Sequence, residues 1–388
     1  MSADRLSRAR ARTPEMVDLL RAFVEIESPS TDPQGVEAMA AAAGAALSPL
    51  GLDVETLPMK GAGPVLRARW PGERPLMLLG HLDTVWPLGT LRERAVRIEG
   101  DVFHGPGSYD MKAGIVVIVH ALKLLAEEGR RPAVNVFLTP LEETRPEPYR
   151  ALMESEMQAS AAVLGFEPAW PGGAVKTERK GAGTFLLRAR GKAAHAGADF
   201  TKGASAVLEI ARKTIEASAL TDLARGVTVN VGVVRGGIRP NVVADSAEAE
   251  LDVRVRTMAD ARQVEEALRG MAASTPGVTL EIAGSFSAPP LERSPAVVAL
   301  YEKARVAAGV MGLTLDEVST GGASEASFAA ALGVPTLDGL GADGDGAHAE
   351  HEHVLVPSLP ERAALAATLI DRLHTDRQAG PISLPKRD

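Results

Sequence analysis

The sequence contains no cysteine, which excludes disulfides, thiolate zinc fingers and cysteine nucleophiles together. Any transition metal must therefore sit on histidine and carboxylate. Positive charge is also scarce, since 42 lysines and arginines against 50 aspartates and glutamates leave a formal net charge of -8. Polyanion binding depends on cations that neutralise phosphates, so nucleic acid is not expected as a partner. Long apolar runs are missing too. The opening MSADRLSRARARTPEMVDLL carries basic residues without an apolar core of signal-peptide length, and no later run is long enough to span a bilayer. A cytoplasmic protein with no membrane partner is the expectation.

What remains is ordinary globular material, 45% hydrophobic and 24% charged. At 388 residues it is too long for one ordinary core, which favours two domains, one of them possibly inserted in the other. After a loose basic arm, Thr13 and Pro14 read as the cap and first turn of a helix through EMVDLLRAFVEI. An alanine-rich helix follows near GVEAMAAAAGAAL. Short apolar runs then alternate with helical stretches: PLMLLG, MKAGIVVIVHALKLLAEEG, AVNVFLTP and AAVLGF. That alternation predicts an α/β fold with a mostly parallel sheet covered by helices. From about Gly181 the strands alternate apolar and polar residues instead, as antiparallel strands with one wet face do. The expected organisation is a first domain over residues 1–179, a smaller inserted α+β domain over 180–287, and a return to the first domain over 288–388. Neither repeats nor low-complexity segments interrupt it.

In open parallel sheets ligands collect beyond the carboxyl ends of the strands. His81 and Asp83 follow PLMLLG, Glu142 and Glu143 follow AVNVFLTPL, and Glu167 follows AAVLGF. His348 lies in the glycine-rich loop after VPTLDGLG, and Asp110 sits in GPGSYDMKAG at the entry to a helix. Taken singly, each has an ordinary explanation. Paired glutamates usually mark a solvated face, Glu143 can pair with Arg145, Glu167 can be a turn acid, Asp110 a helix cap and His348 a surface histidine. Together they are harder to dismiss. Carboxylates converging on one cleft at low effective dielectric would repel each other by roughly several kcal/mol unless a cation neutralises them. Nitrogen and oxygen ligands without sulfur suit catalytic zinc, and there are enough of them for two ions.

GHLDTVWP, GPGSYDMKAG, LEET, FEPA, GKAAHAG and GDGAHAEHEHV occur in the order and approximate spacing of the carboxypeptidase G group. The sequence thus resembles that branch of the aminoacylase, succinyl-diaminopimelate desuccinylase and carnosinase superfamily, from about Pro14 to His374. The resemblance implies a di-zinc peptidase domain with an inserted dimerisation domain. Asp110 would bridge two zinc ions, His81 and Glu167 completing one and Glu143 and His348 the other, with cobalt or manganese as possible substitutes. Asp83 would fix the His81 tautomer. Glu142 would be the general base towards a water whose pKa the metal pair lowers. The smaller domain would form a homodimer and send His195 into the partner's site as an oxyanion donor. Asn241 and Arg254 would touch substrate, although Arg254 on a wet strand is equally a surface residue. Packing explains His120, and His104 belongs to the turn before Gly105. His351 and His353 compete with His348.

The expected substrate is a small peptide or N-acyl amino acid, with release of C-terminal glutamate as the model activity. An N-acyl-amino-acid deacylase or desuccinylase is the alternative. So is a non-catalytic binder, which only the altered loop after Glu143 supports. That loop reads EETRPEPYR, so Arg145, Pro146 and Pro148 must reshape it. Ser287 and Ala288 stand where the group often has an arginine, and Glu325 stands where aspartate is common.

Overall fold

The computed structural model describes residues 2–144 and 147–378. They form two compact units. One comprises the chain up to Thr177, Arg293–Ser319 and the chain from Leu332; the other comprises Glu178–Glu292 and Thr320–Ala331. Residues 320–331, read from sequence with the closing segment, thus group with the second unit.

The first unit is built on a six-stranded sheet whose edge-to-edge order is Asp53–Leu57, Val65–Trp70, Val134–Thr139, Leu76–His81, Ala162–Gly165 and Thr336–Leu337. The last four run parallel, while Val65–Trp70 is antiparallel to both of its neighbours. Strands Leu76–His81 and Val134–Thr139 are buried along their whole length. This is why they read as continuous apolar runs rather than alternating ones. Helix Ala113–Glu127 is apolar on nearly every side and packs on helix Ser358–Gln378. Each buried Leu, Ile or Val on it contributes about 1.5–3 kcal/mol relative to exposure. His120 fits this environment as packing requires, with Nδ1–H donating to the Val116 carbonyl at 3.0 Å.

Two local readings of the N-terminus change. Thr13 is not a capping acceptor; its hydroxyl donates to the Arg10 carbonyl, and helix Thr13–Val24 starts without a side-chain cap. The supposed loose arm is a helix, Ser2–Ala11, whose Leu6 and Ala9 are buried in the core. Arg5, only 3% exposed, reaches Glu128 at 3.0 Å through Nε and Asp371 at 2.8 Å through Nη2. Its partners lie more than 100 residues away, so no local charge pattern reveals them.

Arg5→Ala is expected to cost roughly 2–4 kcal/mol. That is somewhat below the penalty of a fully uncompensated buried ion pair, because Arg8 and Arg130 remain beside Glu128 and Asp371. Burial raises the Glu128 carboxyl, but the hydrogen bond and charge of Arg5 outweigh it and hold it below its ordinary 4.5. Its share of stability is therefore in place above that value and is lost as pH falls through the lower folded one. Urea midpoints for Arg5→Ala that match wild type at neutral pH would contradict this account.

The second unit is a four-stranded antiparallel sheet ordered Thr228–Gly236, Ser246–Val255, Gly181–Arg190 and Thr279–Ala288. Alternate residues of Ser246–Val255 are buried, as the two-residue period requires. Helices Ala206–Ser218 and Met258–Arg269 add Ile210 and Leu268 to the same core. Their caps are readable in sequence, since Ser205 accepts the Leu208 amide and Thr257 the Asp260 amide.

Candidate metal centre

Three neighbouring parallel strands end together, and each delivers functional groups at its carboxyl end. His81 closes Leu76–His81, Glu142 and Glu143 follow Val134–Thr139, and Glu167 follows Ala162–Gly165. Asp110 comes from a single irregular turn, Ser108–Lys112, in which Asp110 and Met111 leave helical φ/ψ and their shared peptide is cis. The turn enters through Gly107 at φ 71°. Gly114 lets the following helix approach the strand end so closely that a Cβ there would lie 2.1 Å from the Phe166 carbonyl oxygen. His348 arrives on a small sheet that the sequence reading did not foresee, Gly344–Asp345, His353–Leu355, Val102–His104 and Arg97–Glu99 in that order. This sheet holds the His348 loop against the segment leading to Asp110. His348 itself adopts φ 62°, a left-handed conformation that costs a β-carbon residue of order 1–3 kcal/mol and is found mainly where function demands it.

The side chains converge. His81 Nε2 lies 3.2 Å from Asp110 Oδ1 and 3.7 Å from Glu167 Oε1. His348 Nε2 lies 3.0 Å from Glu143 Oε2 and 3.5 Å from Asp110 Oδ2. Asp110 thus faces a different imidazole with each oxygen. Ligand atoms of His81, Glu142 and Glu167 all fall within 4.8 Å of one another, as do those of His81, Asp110 and Glu143. The other nitrogen of His81, Nδ1, donates to the Asp83 carbonyl at 3.0 Å, with Asp83 Oδ1 at 3.4 Å. This turns Nε2 towards the carboxylates, where a neutral ring would offer its lone pair to a cation. Asp83 does more than the sequence suggested: its carboxylate accepts the amides of Glu142 at 3.1 Å and Glu143 at 3.2 Å, and the Ser30 hydroxyl at 2.6 Å. One buried acid therefore fixes the ends of two strands.

The charges call for a cation. Hydrogen bonds to Asp110 and Glu143 push His348 up to about 10. Burial would lower His81, but Asp110 and Asp83 outweigh it and hold it well above its ordinary value. Burial raises Glu143 against the pull of His348, and among the described residues its Oε1 has no hydrogen-bond partner. A buried carboxylate oxygen without a donor, beside two imidazoles and further acids, fits a divalent ion taking nitrogen and oxygen ligands.

The sequence profile of the peptidase family M20/M25/M40 matches residues 77–372. The chain belongs to this family. It is a hydrolytic metallopeptidase, similar to carboxypeptidases and desuccinylases. It is 30% identical to carboxypeptidase G2 of Pseudomonas sp. (strain RS-16) over 373 residues, 92% of this chain and 89% of that protein. With a Mycobacterium tuberculosis protein assigned as succinyl-diaminopimelate desuccinylase it shares 29% over 301 residues, 73% and 78% of the two chains. The structure of aminopeptidase PepT from Bacillus cereus superposes with TM-score 0.78 at 21% identity, covering 93% of this chain and 98% of that one. At that identity the likeness is one of fold.

In this M20 chain the second unit carries the remaining candidates. His195 is exposed, and its Nδ1 accepts the amides of Gly197 at 3.2 Å and Ala198 at 3.1 Å. The ring proton therefore sits on Nε2, which makes that nitrogen a donor. Asn241 lies beside it, its carbonyl accepting the Ala196 amide. Arg254 is not brought to them. It stands eight residues along the strand from Ser246, roughly 25 Å at strand rise, with its guanidinium held by Asp252 at 2.9 Å. Ser287 donates to the Ala182 carbonyl, and Glu325 is buried.

Of the competing histidines, His353 donates from Nδ1 to the His351 carbonyl and leans on His104, which lies in a strand rather than a turn. Pro148 is exposed in a turn before helix Arg150–Ala159, while Arg145 and Pro146 lie outside the described residues. Sequence reading passed over Ser30 and Glu352. Ser30 lies outside the motifs and Glu352 lies within GDGAHAEHEHV without a role read for it, and only folding brings them to the ligand-bearing turns.

Proposed function

We propose that the chain is a di-zinc amidohydrolase that cleaves a peptide or N-acyl-amino-acid bond of a small substrate, with release of C-terminal glutamate as the model activity. His81, Asp110 and Glu167 would hold one ion, and Asp110, Glu143 and His348 the other. The convergence of these five side chains around the undonated Glu143 oxygen carries the reading. When bound, such a pair supplies Lewis acidity for the scissile carbonyl and makes water more acidic. Glu142, whose backbone is fixed by Asp83, would take the proton of the attacking water and deliver it to the leaving nitrogen. Desuccinylation is the second reading, favoured by the desuccinylase-like relative.

A homodimer through the second unit fits its surface. Strand Thr228–Gly236 is a sheet edge, and Val234, Val207, Leu208 and Ile215 on this strand and the adjacent helix are exposed. An unpaired apolar edge invites a second copy. His195 of one chain would then serve the partner's site, its Nε2–H donating to the developing oxyanion.

Purified protein should contain about two divalent ions per chain, lose activity to a chelator and recover it with zinc or cobalt. Assayed against C-terminal glutamyl peptides, N-acyl amino acids and N-succinyl amines, it should turn over at least one group. Full activity in metal-stripped protein would overturn the proposal. Among the described residues no helix is long and apolar enough to cross a membrane.

A further inference from the structure

We propose that Glu352 is a positioning residue that locks the Asp110 turn to the loop carrying His348, and so sets how tightly the ligand set grips its ions. The inference rests on the metal reading above. Glu352 is 3% exposed, and both of its oxygens are saturated with donors. Oε2 accepts the Gly107 amide at 2.7 Å and the Trp86 indole N–H at 2.6 Å. Oε1 accepts the Tyr109 amide at 3.0 Å and the Asp110 amide at 3.1 Å.

These four bonds join three segments that carry proposed ligands. Gly107, Tyr109 and Asp110 belong to the turn whose non-helical dihedrals at Asp110 and Met111 interrupt the regular amide-to-carbonyl ladder. Its first amides need an acceptor from elsewhere, and a carboxylate is the strongest available. Trp86 lies on the loop that leaves His81 and Asp83. Glu352 itself is four residues from His348, in a loop closed by its own amide on the Ala349 carbonyl. The loop is turned at Gly346, where φ is 85° and a Cβ would meet the Glu352 backbone at 2.9 Å. Each imidazole facing Asp110 is thus on a segment that Glu352 ties to the Asp110 backbone. Support of this kind around a metal site is worth about 10–100-fold in affinity.

The test is Glu352→Gln, read by cobalt binding rather than turnover. Glutamine keeps the shape but offers one acceptor oxygen and turns an NH2 towards N–H donors, so the Asp110 turn should loosen. Cobalt affinity, measured by chelator competition, is expected to fall about 10–100-fold and the ligand-field absorption to change. Glu352→Asp, which keeps the charge on a shorter arm, should recover part of the loss. If Glu352→Gln does not fold, Glu352→Asp alone should still bind cobalt several-fold more weakly than wild type. A group that merely stabilised the fold would lower the melting temperature of ion-free protein and leave cobalt affinity and spectrum unchanged, and that result overturns the inference. Wild-type protein that takes up no cobalt would overturn the metal reading and this inference together, whereas equal binding by wild type and Glu352→Gln overturns this inference alone.

Discussion

Glu142→Gln is expected to retain about two ions per chain while kcat falls roughly 100- to 10,000-fold, the range lost when a general base is removed. Glutamine matches glutamate in volume, and the Glu142 amide stays anchored on Asp83, so the turn should persist. What disappears is the basic oxygen. Glu142 lies within ligand distance of His81 and Glu167, so metal content must be measured beside the rate. A kcat near wild type removes Glu142 from the role of base. A large rate loss accompanied by loss of an ion makes it a ligand instead.

The second large effect concerns two inactive proteins. Glu142→Gln and His195→Ala chains, mixed and allowed to exchange subunits, are expected to regain about one quarter of wild-type activity. Random pairing of equal amounts makes half the dimers mixed, and each mixed dimer then has one site with both a good base and a good donor. In that site Glu142 belongs to the His195→Ala chain and His195 to the other. The backbone amides of Gly197 and Ala198 keep the donor proton on Nε2, so this is a strict test of side-chain supply. Mixed dimers shown to form yet remaining inactive would place His195 within its own chain's chemistry or outside it.

The strand ends were legible because burial on both faces writes a strand as an apolar run, and the residue after each run is then marked by contrast. His81, Glu142, Glu143 and Glu167 stood out in this way. Asp110 and His348 were marked only by a helix entry and a glycine-rich loop, since their geometry depends on an irregular turn and a left-handed residue that leave no periodic trace. The first helix was missed because Arg5 and Arg8 find their carboxylates at Glu128 and Asp371, far away in sequence. Glu352 was missed for the same reason, its four donors lying some 240 residues or more before it. Arg254, expected from the resemblance to touch substrate, pairs along its own strand with Asp252, a contact that alternation on a wet strand does not reveal.

The order in which a ribosome delivers this chain also matters. The first unit lacks its edge strand Thr336–Leu337, its long helix Ser358–Gln378 and His348 until after the main stretch of the second unit has been made, for most of that unit lies in one continuous stretch, Glu178–Glu292. During translation the later-made unit is thus the one able to assemble early. The earlier-made apolar strands must wait for residues 336–378, and a nascent or truncated chain exposes them to aggregation and to quality control throughout that delay.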